Sequence, residues 1–293
     1  MNFYECSVHS VPSVVNVFDF MDFVDQTLAR RLESAEEMPQ VHYANLYKTL
    51  RPEIGAAVEP ICGGHMIFAG LNSPIGRTVG MGFDSSATEA DLDRMEAFYR
   101  SHGAPSQIDV TPLTDLPLLE KLKQRGYAMA ELNNVLFRRL DKSKPPELPA
   151  GTTIRRGAAS EARAFAEVVV KSFFPDGDAP EGFAEMIAPI YQAEGAILYV
   201  AEIDGNPVAC GAGLIIPEHK IVALFGAGTL SEYRRRGLQT ALLRTRMAVA
   251  AEAGCEYAVI VTRGGTTSQH NAERLGFAVA YSKATLVKDL ARE

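Results

Sequence analysis

The apolar positions of this chain alternate between two textures. Some stretches repeat every three or four residues, as a helix with one buried face does. Others are short apolar runs broken by glycine, as strands between turns are. Residues 13–50 have the helical texture. Val14, Val17, Phe18, Met21 and Val24 form one stripe, and Val41 to Leu50 is expected as a second or third helix. From Ile54 to Phe83 the pattern predicts strands at 57–62, 65–69 and 78–83. Thr88 is placed to cap a helix whose apolar face holds Leu92, Met95 and Tyr99 and which ends near Gly103. Residues 107–110 read as a short strand. Asp115 and then Pro117 mark a further helix start, with Leu118, Leu119 and Leu122 inward and Gly126 at its end. Residues 133–140 close this part as a strand.

Residues 141–151 read as a linker, proline-rich and extended over Lys144 to Pro149. Beyond it the pattern predicts a strand at 152–155, a helix at 160–173, a turn-rich segment at 175–180 and a helix at 181–192. Strands follow at 197–202, 208–216 and 221–230, with Asp204-Gly205 as a hairpin turn. Leu238, Ala241, Leu242, Thr245, Ala248, Val249 and Ala253 make one helical stripe that Gly254 stops. A buried strand at 256–262, a helix from Ser268 and a final strand near 284–287 complete the chain. Two parts match in layout. In each, a helix ends in glycine, a strand follows, and a second helix ends in Gly-Tyr or Gly-Phe. Gly103 and Gly126 stand 23 apart, Gly254 and Gly276 stand 22 apart.

The densest local signal is the turn Tyr233-Arg234-Arg235-Arg236-Gly237-Leu238-Gln239-Thr240-Ala241, between a strand and a helix. The first N–H groups of a helix lack internal partners and carry the positive end of its dipole, so they suit a phosphate. Gly237 has no Cβ to hold an anion away, and the arginines add charge and forked donors. A solvated basic turn accounts for the same residues. Seventeen residues before Gly254 stands Gly237; seventeen before Gly103 stands Ser86, in a stretch with Asp84, Glu89 and Asp91 and no arginine. Carboxylates there are good helix caps and poor neighbours for a pyrophosphate.

The Arg234-x-x-Gly237 turn resembles the acetyl-CoA pyrophosphate loop of the GNAT superfamily of N-acetyltransferases, with Gln239 departing from the small residue usual there. Ser268-Gln269-His270-Asn271-Ala272-Glu273-Arg274-Leu275-Gly276-Phe277 resembles that family's last helix and its Gly-Phe ending. The resemblance covers about residues 152–293. It implies an α/β (α+β) chain of two GNAT-like domains, each a mixed, mostly antiparallel twisted sheet flanked by helices. Residues 1–145 would be a degenerate copy without the CoA loop, and residues 150–293 the acetyl-CoA-binding copy. It further implies acetyl-CoA as cosubstrate, held by Thr229 and Leu230 on the strand edge, by Arg234, Arg235, Arg236, Gly237, Leu238, Gln239, Thr240 and Ala241 around the pyrophosphate, and by Asn271. Helix capping explains Asn271 and Ser268 equally well.

The implied reaction is direct attack of a primary amine, of a small molecule or peptide, on the acetyl thioester. It needs both reactants held together, a proton sink, and donors for the carbonyl oxygen and the departing thiolate. Many members of the family carry a tyrosine four residues before the closing glycine. Here that position is Ala272, which leaves Tyr281 and His270 as candidates. Glu202, Glu218, His219 and Glu232 are candidate bases. Cys210 and Cys255 read as core. A protein that binds acyl-CoA without turnover, or one acting like the tandem mycothiol synthases, is the alternative.

Composition narrows the partners. The chain of 293 residues is 47% hydrophobic and 22% charged, as globular chains are. Its net charge of −7 argues against nucleic acid. No apolar run approaches the length of a membrane span, and no basic region precedes Arg30 as in a signal peptide. The four cysteines show no metal or disulfide spacing, so a reduced cytoplasmic protein without metal is expected. Residues 1–150 carry 14 Lys+Arg and 20 Asp+Glu, residues 151–293 carry 15 and 16. An acidic first half, with Asp176 and Asp178, predicts a cationic acceptor in a cleft between the halves. Solubility or a homodimer contact is the other use of that charge.

Overall fold

The computed structural model describes residues 22–71, 73, 75–141 and 148–290. Helix α1 runs from Gln26 to Leu50 and starts where the Asp25 carboxylate accepts from the Leu28 N–H at 2.8 Å. It is one helix where the pattern suggested separate ones, and Pro39 lies inside it. Proline has no N–H, so the Ala35 carbonyl one turn earlier loses its helical donor. The stripe from Val14 to Met21, and most of the expected linker (142–147), lie outside the described residues.

Strands β1 (Ala57–Ile61) and β2 (Gly64–Phe68) form an antiparallel hairpin that turns through Cys62 and Gly63, both at positive φ. The strand expected at 78–83 does not form. Only Thr78 and Val79 make isolated bridges, because Gly80 and Gly82 adopt φ of 76° and 87° and bend the chain out of extension. Helix α2 (Glu89–Ser101) begins with a reciprocal capping box between Thr88 and Asp91. Of the carboxylates of that stretch, Asp91 is thus a helix cap, while Asp84 lies 3.6 Å from Arg30 and Glu89 2.6 Å from Arg125. Then come β3 (Ser106–Val110), α3 (Leu116–Gln124) and β4 (Ala128–Arg139).

The second half contributes β5 (Thr152–Arg156), α4 (Ala162–Phe173), a short α5 (Phe183–Ile187), β6 (Ala196–Ile203), β7 (Asn206–Ile216) and β8 (Ile221–Thr229). Next are α6 (Leu238–Glu252), β9 (Tyr257–Arg263), α7 (Thr267–Glu273) and β10 (Ala278–Lys288). The helix expected over 181–192 tightens into a 3₁₀ turn from Ala188, where Pro189 cannot donate a helical bond. Asp204 and Gly205, at φ 51° and 74°, turn the β6–β7 hairpin as expected.

Eight strands make one sheet in the order β3-β10-β4-β9-β8-β7-β6-β5. All neighbours are antiparallel except β8 and β9. The internal match of glycines reappears as structure. Strands β3 and β9 each begin three residues after their glycine, β4 and β10 each two residues after theirs. The last strand of each copy lies beside the middle strand of the other, β4 against β9 and β10 against β3. The halves therefore exchange strands within a continuous sheet. On one face α6 packs Leu238, Leu242, Leu243 and Met247 against Val222, Leu224, Ala258 and Ile260. On the other, α1 lays Leu28, Leu32 and Ala35 over Val135, Ala223, Val259 and Tyr281. A helix of the first half thus covers the sheet of the second.

A buried ion cluster joins the same parts. The Lys283 ammonium on β10 lies 2.9 Å from Asp109, 3.5 Å from Glu36 and 3.6 Å from Glu33. Burial and then Lys283 act in opposite senses on Asp109, and with Arg77 the cations prevail and hold its carboxyl below the usual range. Glu33 is raised, burial being the main cause. Lys283→Met keeps the length and removes the charge, leaving carboxylates buried without their cation. Breaking such a group costs about 3–5 kcal/mol. Urea unfolding should show the midpoint falling with m unchanged; an unchanged midpoint removes the cluster from the stability of the fold.

Candidate active site

The sheet opens between β8 and β9. They pair in parallel only over Ile221–Ala223 and Tyr257–Val259, and beyond that both continue without pairing each other. Just past the opening, β8 breaks register with β7 between Cys210 and Ala212, and Gly226 sits at φ 53°. A bulge sharpens local twist, which turns β8 further from β9. Two cavities meet at this gap.

The larger holds about 920 Å³ and runs from the gap to the start of α6. Arg234, Arg235, Arg246 and Arg274 line it, and none of its lining residues is acidic. In a chain of net charge −7 that is a local reversal of sign. Gly237 adopts φ 79° and delivers the chain into α6, whose first N–H groups face this cleft. Arg235 is also left-handed, at φ 61°, which a non-glycine residue adopts at a cost. The Thr229 hydroxyl is buried at the wall without a hydrogen-bond partner, and so is Nη2 of Arg246. Buried donors and acceptors are rarely left unpaired unless a ligand or water completes them. These features fit an elongated anionic ligand with polar groups along its length.

The smaller cavity, about 240 Å³, lies between α1, the segment around Arg77, the turn after α5 and the gap. It shares Leu224, Phe225, Gly226 and Val261 with the larger one. Its walls are mainly apolar, from Ala35, Pro39, Ile187, Ile190 and Val259. Glu36 and Arg77 bring charges of opposite sign to it. Tyr191 is the phenol of this cavity. A Cβ built on Gly226 would stand 2.8 Å from its hydroxyl, so the tyrosine rests on the strand at the gap itself. Burial raises the Tyr191 pKa, which keeps it protonated.

Residues 164–277 match the acetyltransferase (GNAT) family. That match lies within the second half of the chain. No curated protein matches the chain. Among solved structures, a GCN5-related N-acetyltransferase from Kribbella flavida is 19% identical with a TM-score of 0.65, over 89% of this chain and 95% of that one. A tandem GNAT protein from the clavulanic acid biosynthesis pathway is 12% identical with a TM-score of 0.61, over 92% and 96%. A functionally unknown conserved protein from Staphylococcus epidermidis is 15% identical with a TM-score of 0.52, over 83% and 97%. At these identities the likeness is one of fold, and it extends through both halves. The expected mixed, mostly antiparallel sheet with flanking helices is the fold observed.

The second half gathers most of the residues singled out in the sequence. Thr229, Arg234, Arg235, Gly237, Leu238, Gln239, Thr240 and Asn271 all line the larger cleft. Leu230, Arg236 and Ala241 do not. Ala241 is a buried residue of α6 itself, and Arg236 lies over the Tyr233 ring at 5.1 Å. The three arginines have different work. Arg234 is tied down, donating from Nη2 to the Ser172 carbonyl at 2.6 Å and from Nε to the Thr229 carbonyl at 3.3 Å. Arg235 makes no hydrogen bond or ion pair with the described residues and remains for a ligand. The cap of α7 is Thr266, which accepts from the Gln269 N–H, so Ser268 and Asn271 are left to face the cleft.

The proton-transfer candidates fare differently. Tyr281 is buried under α1 and donates to Glu33 at 2.9 Å; burial and then Glu33 raise its pKa. It borders neither cavity, because β10 lies beyond β4 and β9 from the gap. His270 is exposed on the side of α7 away from the cleft. Glu202 is held by Arg155 at 2.8 Å, and Glu218, His219 and Glu232 border neither cavity. Cys210 and Cys255 are buried, and burial pushes their thiols up to about 12 and about 11. Asp176 and Asp178 are exposed and likewise line neither cavity. Sequence reading missed Tyr191, Glu36 and Arg246. The one local hint was a buried-looking arginine on the apolar face of α6; nothing near Tyr191 or Glu36 marked them.

Proposed function

We propose that the chain transfers an acetyl group from acetyl-CoA to a primary amine of a small molecule or peptide, both substrates being bound together. The observation that carries this reading is the meeting, at one gap in the sheet, of a basic cleft and a mainly apolar cavity that holds Glu36 and Arg77. The basic cleft suits the pyrophosphate at the start of α6 and the pantetheine arm along Thr229 to Phe225. The small cavity, mainly apolar with Glu36 beside Arg77, suits an amine carried on an apolar body. The shared wall at Leu224 to Gly226 is then where amine and thioester meet. Residues 1–145 serve as the degenerate copy, giving α1 to the acceptor cavity; their expected boundary at the linker is part of this proposal.

Each side chain has a task in this scheme. Arg235 and the α6 N–H groups bind phosphate. Glu36, already paired with Lys283 at 3.5 Å, adds negative potential for the ammonium, whose proton passes to water as the amine becomes nucleophilic. Tyr191 returns a proton to the sulfur that leaves. Steady-state release of free thiol from acetyl-CoA, with a panel of amines and products read by mass, tests the whole. Calorimetry should give one acetyl-CoA site per chain. Tight binding without turnover on any amine would favour the binding protein instead; the phenol at the gap speaks against it.

Tyr191→Phe removes the hydroxyl and leaves the ring. General-acid groups contribute about 10²–10⁴-fold. Turnover should therefore drop by about a hundredfold or more, with acetyl-CoA affinity held. Turnover within a few-fold of the parent would take Tyr191 out of the chemistry.

A further inference from the structure

Arg246 is the largest fully buried side chain among the described residues, with 1% of its surface exposed. It has no carboxylate partner among the described residues. Nε donates to the Leu242 carbonyl at 3.1 Å, and Nη1 to the carbonyls of Ala212 at 2.5 Å and Phe225 at 3.4 Å. Those two residues pair with each other at one side of the break in register between β7 and β8. Nη2 has no partner and Arg246 lines the basic cleft. Burial lowers the pKa of the guanidinium only to about 10, so it is a cation at neutral pH. An uncompensated buried cation is costly, and one of its donors goes unused. Gly211 makes the space: a Cβ there would lie 2.6 Å from the guanidinium carbon.

Position along the cleft indicates what the free donor meets. Arg246 is nine residues into the helix that starts after Gly237, about 14 Å along it at 1.5 Å per residue. Strand β8 runs back beside α6 from Thr229 to Phe225, four residues or about 13 Å. Phosphate at the helix start and the guanidinium at Phe225 thus mark the two ends of one track. The inner end is the wall shared with the smaller cavity.

We propose that Arg246 binds the acyl carbonyl oxygen of the donor thioester through Nη2. This rests on the acyl-transfer reading above and deepens it by giving the reacting carbonyl a charged donor. As the amine nitrogen bonds to the carbonyl carbon, the C=O π pair moves onto oxygen, where Nη2 donates to it. When the C–S bond breaks, its pair leaves with sulfur and the oxygen pair restores C=O. One proton leaves nitrogen and one reaches sulfur, so the charge balances. A buried donor fixed before reaction is suited to charge that appears only during it.

Two unreactive CoA thioethers test this on the full chain without knowing the amine. S-acetonyl-CoA keeps a carbonyl near the thioester position; S-propyl-CoA lacks it. Hydrogen bonds to charged donors are strong, so the parent should bind the carbonyl analogue roughly tenfold or more tightly. Arg246→Met should erase that preference while S-propyl-CoA affinity stays within about threefold. Nitrogen-15 spectra of arginine in the unsubstituted chain give the same answer if the variant does not fold. The buried guanidinium signal should move with the carbonyl analogue and stay with the propyl one. Binding of both analogues without preference, equal arginine shifts, or a preference kept in the variant overturns the role of Arg246 alone. A chain that binds neither analogue overturns the acyl-transfer reading, and this one with it.

Discussion

Replacing Gly237 by Asp abolishes acetyl-CoA binding in a chain that remains folded: that is the expected result with the largest effect on function. Gly237 stands at φ 79°, where a side chain is disfavoured by about 1–2 kcal/mol, Asp less than most. There is room for the side chain, since the nearest atom to a built Cβ is Pro149 Cγ at 3.6 Å. The backbone strain is thus a small fraction of a usual folding stability of about 5–15 kcal/mol. The charge is another matter. A carboxylate at the start of α6 competes for the N–H groups that a pyrophosphate needs and repels it from the basic cleft. Affinity should fall at least about a hundredfold, ~2.7 kcal/mol. Gly237→Ala carries the conformational cost without the charge and should bind far better than the Asp variant. Calorimetry beside a thermal melt reads both quantities. A folded Asp variant that binds within about threefold of the parent moves the site elsewhere.

Cutting the chain at the linker has the largest expected effect on the fold. Residues 150–293 alone should not give a cooperative melt. In the intact sheet β4 lies between β9 and β10, so removing it leaves two long strands with open edges. Val135, Leu136 and Phe137 go with it, all buried, and burying each such side chain is worth about 1.5–3 kcal/mol. The cover of α1 over Ala223 and Val259 is lost too. These losses together reach the size of a whole domain's stability, about 5–15 kcal/mol. Co-expressing residues 1–149 should restore a soluble complex that binds acetyl-CoA. An excised half that melts cooperatively and binds with the full chain's affinity would show that the exchanged strand is dispensable.

The strand exchange marks the limit of reading by period and turn. The glycines that end α2, α3, α6 and α7 were legible, because a helix stop depends on a few neighbouring residues. Their matching offsets even exposed the internal repeat. Which copy each final strand would join was not legible. β4 and β10 are both apolar strands with like surroundings, and pairing is decided by side chains far away in sequence. Likewise the strand expected at 78–83 was apolar enough, yet Gly80 and Gly82 turned it aside.

The same division runs through the site. The sequence by itself determined the basic glycine turn proposed for phosphate: strand, basic residues, glycine and helix are contiguous, and the orphan N–H groups follow from helix geometry alone. It also determined the sheet-and-helix class of the fold, since local hydrophobic period sets each element. Only the tertiary structure decided which arginine is free. Arg234 is spent on the Ser172 carbonyl, 62 residues away in sequence, while Arg235 is not. Only it decided that Tyr191, Glu36 and Arg246 converge on the gap between β8 and β9, and that Tyr281 does not. Their roles depend on burial and on the partners each side chain finds, and both are properties of packing between distant segments.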